Sequence, residues 1–206
     1  MPPLFRYNGG MFFGESTMFK KIATVFAVIF MAGTATAGGA IDFGLSNTSV
    51  RIEHDAAMVG TGAHFTVGGV YNETNQSAAV LVGFNAVDAT MANKEMIGGL
   101  GFKAMGLNNQ IADFAVGLGV GGFLRWQPDF MNGLGFEGQA YFSPSILSFG
   151  DLTSSNELVA RLTYKVLPQA RVFIGYHDLR GEYNIAGEAE TGVIDSTFHI
   201  GFRMTY

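Results

Sequence analysis

The sequence has 206 residues, 29 of them Gly, no Cys, and only 14% charged residues, where a water-soluble domain averages nearer ~25%. The missing Cys excludes a disulfide-built scaffold. The length suits one domain.

Residues 18–37 read as a secretory signal peptide. Met18-Phe19-Lys20-Lys21 is a basic start, Ile22 to Gly33 an apolar run, and Ala35-Thr36-Ala37 a small-x-small cleavage pattern. The apolar run is short for a membrane-spanning helix, which sets cleavage above an uncleaved anchor. Residues 1–17, with Pro2-Pro3 and a second Met at 11, read as an upstream extension from a misassigned start, with Met18 the true start. The mature domain is then 38–206. It keeps nine Lys and Arg against sixteen Asp and Glu, a net charge of −7. No basic run remains, so nucleic acid is not a partner. No stretch of eighteen apolar residues remains either, so a membrane helix is not expected.

The mature part alternates apolar and polar residues with a period of two, the mark of β-strands. Expected strands, in order, are Ile41–Leu45, Val50–His54, Ala63–Tyr71, Val80–Phe84, Met96–Ala104, Ala112–Trp126, Leu134–Phe142, Leu158–Val166, Val172–His177 and the stretch ending at Tyr206. Polar turns separate them, with two long loops at Ser143–Asn156 and Arg180–Gly192. The last stretch is the most telling. Phe198, Ile200, Phe202, Met204 and Tyr206 line one face, and His199, Gly201, Arg203 and Thr205 the other. A flat apolar strand of this kind is an aggregation hazard in water, whereas a transmembrane β-barrel requires it. The same five residues resemble the C-terminal signal by which the outer-membrane assembly machinery recognises its clients.

These features predict an all-β, transmembrane antiparallel β-barrel of about ten strands with periplasmic termini. Bacterial barrels have an even strand count. Ten follows if Ile41–Leu45 and Val50–His54 are separate strands; eight is the alternative, since both are short for a crossing. A soluble β-sandwich also alternates, but fits the outward aromatics and the signal peptide poorly.

Three groups of residues carry a family resemblance. They are Ile41-Asp42-Phe43-Gly44-Leu45-Ser46-Asn47-Thr48-Ser49, the run Glu137-Gly138-Gln139-Ala140-Tyr141-Phe142-Ser143-Pro144 with Leu147-Ser148-Phe149-Gly150-Asp151, and Leu167 to Tyr176. They resemble the YfaZ family of bacterial outer-membrane proteins, strongest from Gly135 to Tyr176 and weak between Ala56 and Gly106. The resemblance implies an outer-membrane barrel and brings no catalytic or binding residues.

The inward faces should carry Lys103, Asp113, Arg125, Glu137, Arg161, Lys165, Arg171, His177 and Arg203, an excess of base. Buried charges must be paired or wetted. Two readings follow: a salt-bridged plug, or a narrow, weakly anion-preferring pore. Inward Gly99, Gly101, Gly117, Gly119, Gly121, Gly135, Gly175 and Gly201 either leave room for solute or let long side chains lie against the wall. His54-Asp55 and His177-Asp178 invite a catalytic reading, but strand neighbours point to opposite faces. His177 could pair only with a carboxylate from elsewhere, such as Asp113 or Glu137. Ser196 and His199 also fall on opposite faces. Glu182, Glu188 and Glu190 lack the fixed spacing of a cation loop. Gly117-x-Gly119-x-Gly121-Gly122 lies inside a strand, not before a helix, and is no phosphate loop.

The expectation is therefore a structural or surface-interaction barrel in the bacterial outer membrane, not an enzyme. No cofactor and no metal are expected. It should be a monomer, surrounded by outer-membrane lipid and lipopolysaccharide and served by the assembly machinery. A narrow passive pore is the alternative, and a lipid-modifying or proteolytic enzyme the third reading.

Overall fold

The computed structural model describes residues 38–58, 62–87 and 95–206. The expected upstream extension and signal peptide lie outside these residues, as do parts of the 55–62 and 87–94 connections.

Alternating sequence becomes alternating exposure. The strands are β1 (Gly39–Leu45), β2 (Ser49–Met58), β3 (Ala63–Asn72), β4 (Ser77–Val87), β5 (Met96–Asn108), β6 (Ala115–Trp126), β7 (Leu134–Ser143), the two-residue β8 (Ser148–Phe149), β9 (Leu152–Leu167), β10 (Ala170–Ile185) and β11 (Glu188–Thr205). All pairings are antiparallel. Neighbours follow chain order around the ring, β7 pairing with β9 and β8 resting on β6. Pairing of β1 with β11 closes the sheet, so β1–β7 and β9–β11 are the ten staves of a closed barrel. Ten, not eight, is the count, because β1 and β2 are separate strands joined at Ser46–Thr48. Closure leaves no free edge around the ring, which answers the hazard posed by the apolar last strand.

The outer face carries the apolar residues. Phe198, Ile200, Phe202, Met204 and Tyr206 are all exposed. Aromatic pairs mark both limits of this band. Trp126 and Phe136 stack at 5.8 Å near the end where Gly39 meets Tyr206, called the base here. Tyr176 and Phe198 lie 5.1 Å apart toward the opposite end, the roof. Beyond Tyr176 the outer face turns polar, with Asp178, Arg180 and Ser196 hydrogen-bonded around it.

Two stretches differ from expectation. Arg180–Gly192 is a projecting hairpin, not a loop. Ile185 pairs with Glu188 across a two-residue turn, Ala186-Gly187, with φ of 54° and 93°. Positive φ at both central residues is the turn that suits strand twist, and it favours Gly. Tyr183, Ile185 and Thr191 supply strand-forming side chains within a run that looked polar because of its Glu residues. The second is the Ser143–Asn156 loop, which shortens to residues 144–151 because β9 starts at Leu152.

The hairpin also contains a β-bulge. Leu179 pairs with Asp195 and Arg180 with Val193, so Ile194 is the extra residue. Both Ile194 and Asp195 are turned inward and buried.

Candidate functional site

The lumen is where the charged side chains meet. It divides into three levels.

At the base, Asp42 of β1 accepts two hydrogen bonds from Arg203 of β11, Nε–Oδ1 and Nη2–Oδ2, both 2.6 Å. It accepts a third from Arg161 of β9, Nη1–Oδ2, at 2.5 Å. Arg203 also donates from Nη1 to Glu137 of β7. Asp42 and Arg203 are direct cross-strand partners at the closing seam, so this cluster ties the seam to the opposite wall. Beside it, Asp55 bridges His64 Nδ1 and Arg125 Nη2, each at 2.9 Å. Arg161 lies over the Phe173 ring, 4.5 Å from its centroid.

At mid-height, Glu157 is the hub. Its Oε2 accepts from Lys103 Nζ at 2.7 Å and from Gln139 at 3.1 Å, and its Oε1 from Arg51 at 3.2 Å. Arg51 also holds Glu53 at 2.7 Å. His177 Nδ1 meets Asp195 Oδ2 at 2.8 Å, and its Nε2 stands 3.4 Å from Glu157 Oε1. Asn72 donates to the other Asp195 oxygen. Tyr141 donates to Asn85 at 2.6 Å.

At the roof the lumen turns apolar. Val70, Leu81, Met105, Leu107, Leu152, Leu179, Tyr183 and Ile194 form one buried cluster with Ala79, Ala112 and Ala115. The connection between β5 and β6 folds over it. Asn109 Oδ1 accepts from the amides of Ile111 and Ala112, and its Nδ2 donates to the Tyr183 hydroxyl at 2.9 Å.

Of the expected inward charges, the structure brings together Lys103, Arg125, Glu137, Arg161, His177 and Arg203. Arg171 is half-buried at the base rim and makes no ion pair among the described residues. Lys165 is exposed at the same rim. Asp113 does not face the lumen. It is exposed in the β5–β6 connection, because β6 begins only at Ala115. The carboxylate that His177 finds is Asp195, with Glu157 on its other side, rather than Asp113 or Glu137.

Sequence reasoning missed Asp42, Arg51, Glu53, Asp55, Glu157 and Asp195. With them the expected excess of base disappears, since the lumen acids Asp42, Glu53, Asp55, Glu137, Glu157 and Asp195 face the bases Arg51, Lys103, Arg125, Arg161 and Arg203. The signal was present for Asp42, Arg51 and Glu53, which alternate with Ile41, Phe43, Val50 and Ile52. Glu157 lay between the loop read to Asn156 and the strand read from Leu158. Asp195 is in phase with His199 and Arg203 but lay just before the stretch read as the last strand.

The inward glycines are filled from neighbouring strands. A Cβ on Gly175 would stand 2.7 Å from Arg161 Cγ, one on Gly119 2.8 Å from Met105 Cε, and one on Gly99 2.8 Å from the Phe123 ring. The void left between Glu53, Arg125, Glu137, Arg161 and Arg203 measures about 20 Å³. One water needs roughly 10–15 Å³, so this space takes about a single water molecule.

Both ring nitrogens of His177 face carboxylates, and the side chain is sealed between the apolar roof and the basal cluster. The geometry suits a fixed ionic cross-brace. Among the described residues no group of three or more His, Asp or Glu side chains is arranged to hold a metal ion.

A family model described as YfaZ precursor matches residues 18–204. The chain belongs to the YfaZ family. The match starts at Met18, the residue read above as the start of the signal peptide, and runs through the whole barrel to the last strand. No curated protein matches the chain. YfaZ membership and the closed barrel together fit an outer-membrane barrel, and the apolar outer band is what such a barrel presents to lipid.

Proposed function

We propose that this YfaZ-family protein is a plugged barrel of the bacterial outer membrane, structural or surface-interacting in role, and neither a pore nor an enzyme. The observation that carries this reading is the basal void of about 20 Å³, room for about one water, beneath a roof of buried apolar side chains. A conducting path needs a continuous column of water, and neither level supports one.

The outer band supports the placement. From Tyr206 to Phe198 along a strand tilted as barrel strands are, it spans roughly 20 Å, close to the ~25 Å band of outer-membrane barrels. Even strand number puts both ends of the chain on one side. The base is then periplasmic and the roof outside. The projecting hairpin and the 144–151 loop form the outer contact surface. That surface is acidic. Glu73, Asp113, Asp151, Asp178, Glu182, Glu188 and Glu190 lie beyond the roof, against Arg180, which is tied to Asp178 at 2.8 Å. Its contact with phosphate-rich lipopolysaccharide therefore needs cations between the two. The barrel works as a monomer in this reading, and the assembly machinery is its partner only during insertion.

The test is planar-bilayer conductance of the purified, refolded protein. A silent bilayer, with insertion verified independently, is the expected result. Discrete, reproducible channels would overturn the plug and favour a narrow passive pore.

A further inference from the structure

We infer that Tyr206, Gly39 and His54 form a clasp on the outside of the barrel that fastens its closing seam. The seam needs one. Strands β1 and β11 share six residue pairs, the fewest between neighbouring staves. One further backbone pair extends it, Gly39 N to Tyr206 O at 3.1 Å and Tyr206 N to Gly39 O at 3.0 Å.

From that position the Tyr206 side chain does not point away from the wall. It lies across β1 and reaches β2, where its hydroxyl meets His54 Nε2 at 2.6 Å. The two rings are nearly parallel, 11° apart with centroids at 6.1 Å. The crossing is possible because residue 39 has no side chain. A Cβ there would stand 2.8 Å from the Tyr206 hydroxyl and 2.9 Å from Cζ. One side chain thus bridges three strands over the seam.

The same contact accounts for His54. It sits on the outward face of β2, opposite Ile41 and Val67. A polar ring on a wall facing lipid is costly unless satisfied. The Tyr206 hydroxyl occupies its ring nitrogen. Its sequence neighbour Asp55 points the other way, to Arg125 and His64. The clasp forms only after β1 has paired with β11, so it is a late contact. It holds shut the line along which the barrel would open sideways into lipid. On the lumen side Asp42 and Arg203 fasten the same line.

The experiment uses the refolded barrel in phosphatidylcholine vesicles. Its unfolding rate in urea is followed by the gel-mobility difference between folded and unfolded barrel. The variants are Tyr206→Phe, His54→Leu and the double variant. Each single variant should unfold about fivefold faster, the worth of one neutral hydrogen bond, and the double variant no faster than either single one. Gly39→Val, whose Cβ would meet the Asp55 carbonyl oxygen as well as the ring at 2.8 Å, should unfold at least as fast as the single variants. Tyr206→Phe should still reach the outer membrane in parental yield, because the aromatic that marks the last strand is kept. Single variants within twofold of the parent, or effects that multiply in the double variant, would overturn the clasp. So would a Tyr206→Phe protein whose yield falls while its unfolding rate does not change, since the hydroxyl would then act in delivery alone.

Discussion

Replacing Asp42 with Asn should weaken the barrel strongly. Asp42 accepts three charge-assisted hydrogen bonds, two from Arg203 and one from Arg161. The amide keeps the shape but loses the charge and offers only one acceptor oxygen. Arg203 and Arg161 are then left with Glu137 as the carboxylate of the basal cluster, at close range to Arg203 and 4.0 Å from Arg161. Both guanidinium groups are buried beside a void that takes about one water, so the uncompensated charge gains little hydration. Removing one partner of a buried pair costs about 3–5 kcal/mol. With a urea dependence of ~2 kcal/mol per molar for a chain of this size, the unfolding midpoint should fall by roughly 1.5–2.5 M. The assay is urea unfolding in vesicles, read by tryptophan fluorescence of the single Trp126 and by gel mobility. Combining Asp42→Asn with Arg203→Met removes acid and base together, and should recover much of the loss, because an apolar replacement for a buried ion pair is often neutral. A midpoint within 0.3 M of the parent (about 0.6 kcal/mol on the same slope) for Asp42→Asn alone would refute the idea that the basal cluster braces the seam.

Two glycines make a matched pair. Gly175→Ala puts a Cβ 2.6 Å from the Ala160 carbonyl oxygen and 2.7 Å from Arg161 Cγ, and should destabilise by about 1–3 kcal/mol in the same urea assay. Gly138→Ala meets nothing within 4 Å and should stay within about 0.5 kcal/mol of the parent; equal effects at both positions would contradict the packing of Arg161 against the Gly175 wall. An epitope inserted between Ala186 and Gly187 should leave folding intact and be stained on intact cells. Staining only after the outer membrane is permeabilised would reverse the orientation of the barrel.

Most of the architecture is legible in the alternation. Phe198 to Tyr206 on one side, and His199 and Arg203 on the other, are enough to place a lipid-facing wall and a charged interior. The same rule correctly separates His54 from Asp55 and His177 from Asp178. It fails where the backbone departs from a period of two. Ile194 is invisible to parity because the bulge turns it inward beside Asp195, and Asp195, though in phase with His199 and Arg203, lies before the stretch read as the last strand. Glu157 is invisible because a polar stretch, Thr153-Ser154-Ser155-Asn156, reads as loop when each residue is weighed alone. In a barrel such a stretch continues as strand, since its partner strands on both sides satisfy its backbone. The lumen's partnerships are not legible at all, because they join β1, β7, β9 and β11 across the interior. Sequence distance carries no information about which charges will face one another there. The clasp shows the same limit. The aromatic at position 206 and the histidine at position 54 each stand out in the sequence, and nothing in it says that they touch.

The bulge has a consequence for how this barrel can change over time. Below Ile194 the last two strands are locked in register by the lumen side chains they share. Above it the hairpin stays paired with β9 as far as Tyr183 and Leu152, and only its tip projects past that strand. A two-residue lengthening at the tip, beyond the Tyr183–Glu190 pair, keeps every side chain on its proper face and leaves Tyr183 in the roof. The register break therefore divides the last hairpin into a stem tied to the lumen and a tip whose length can change without the wall being rebuilt.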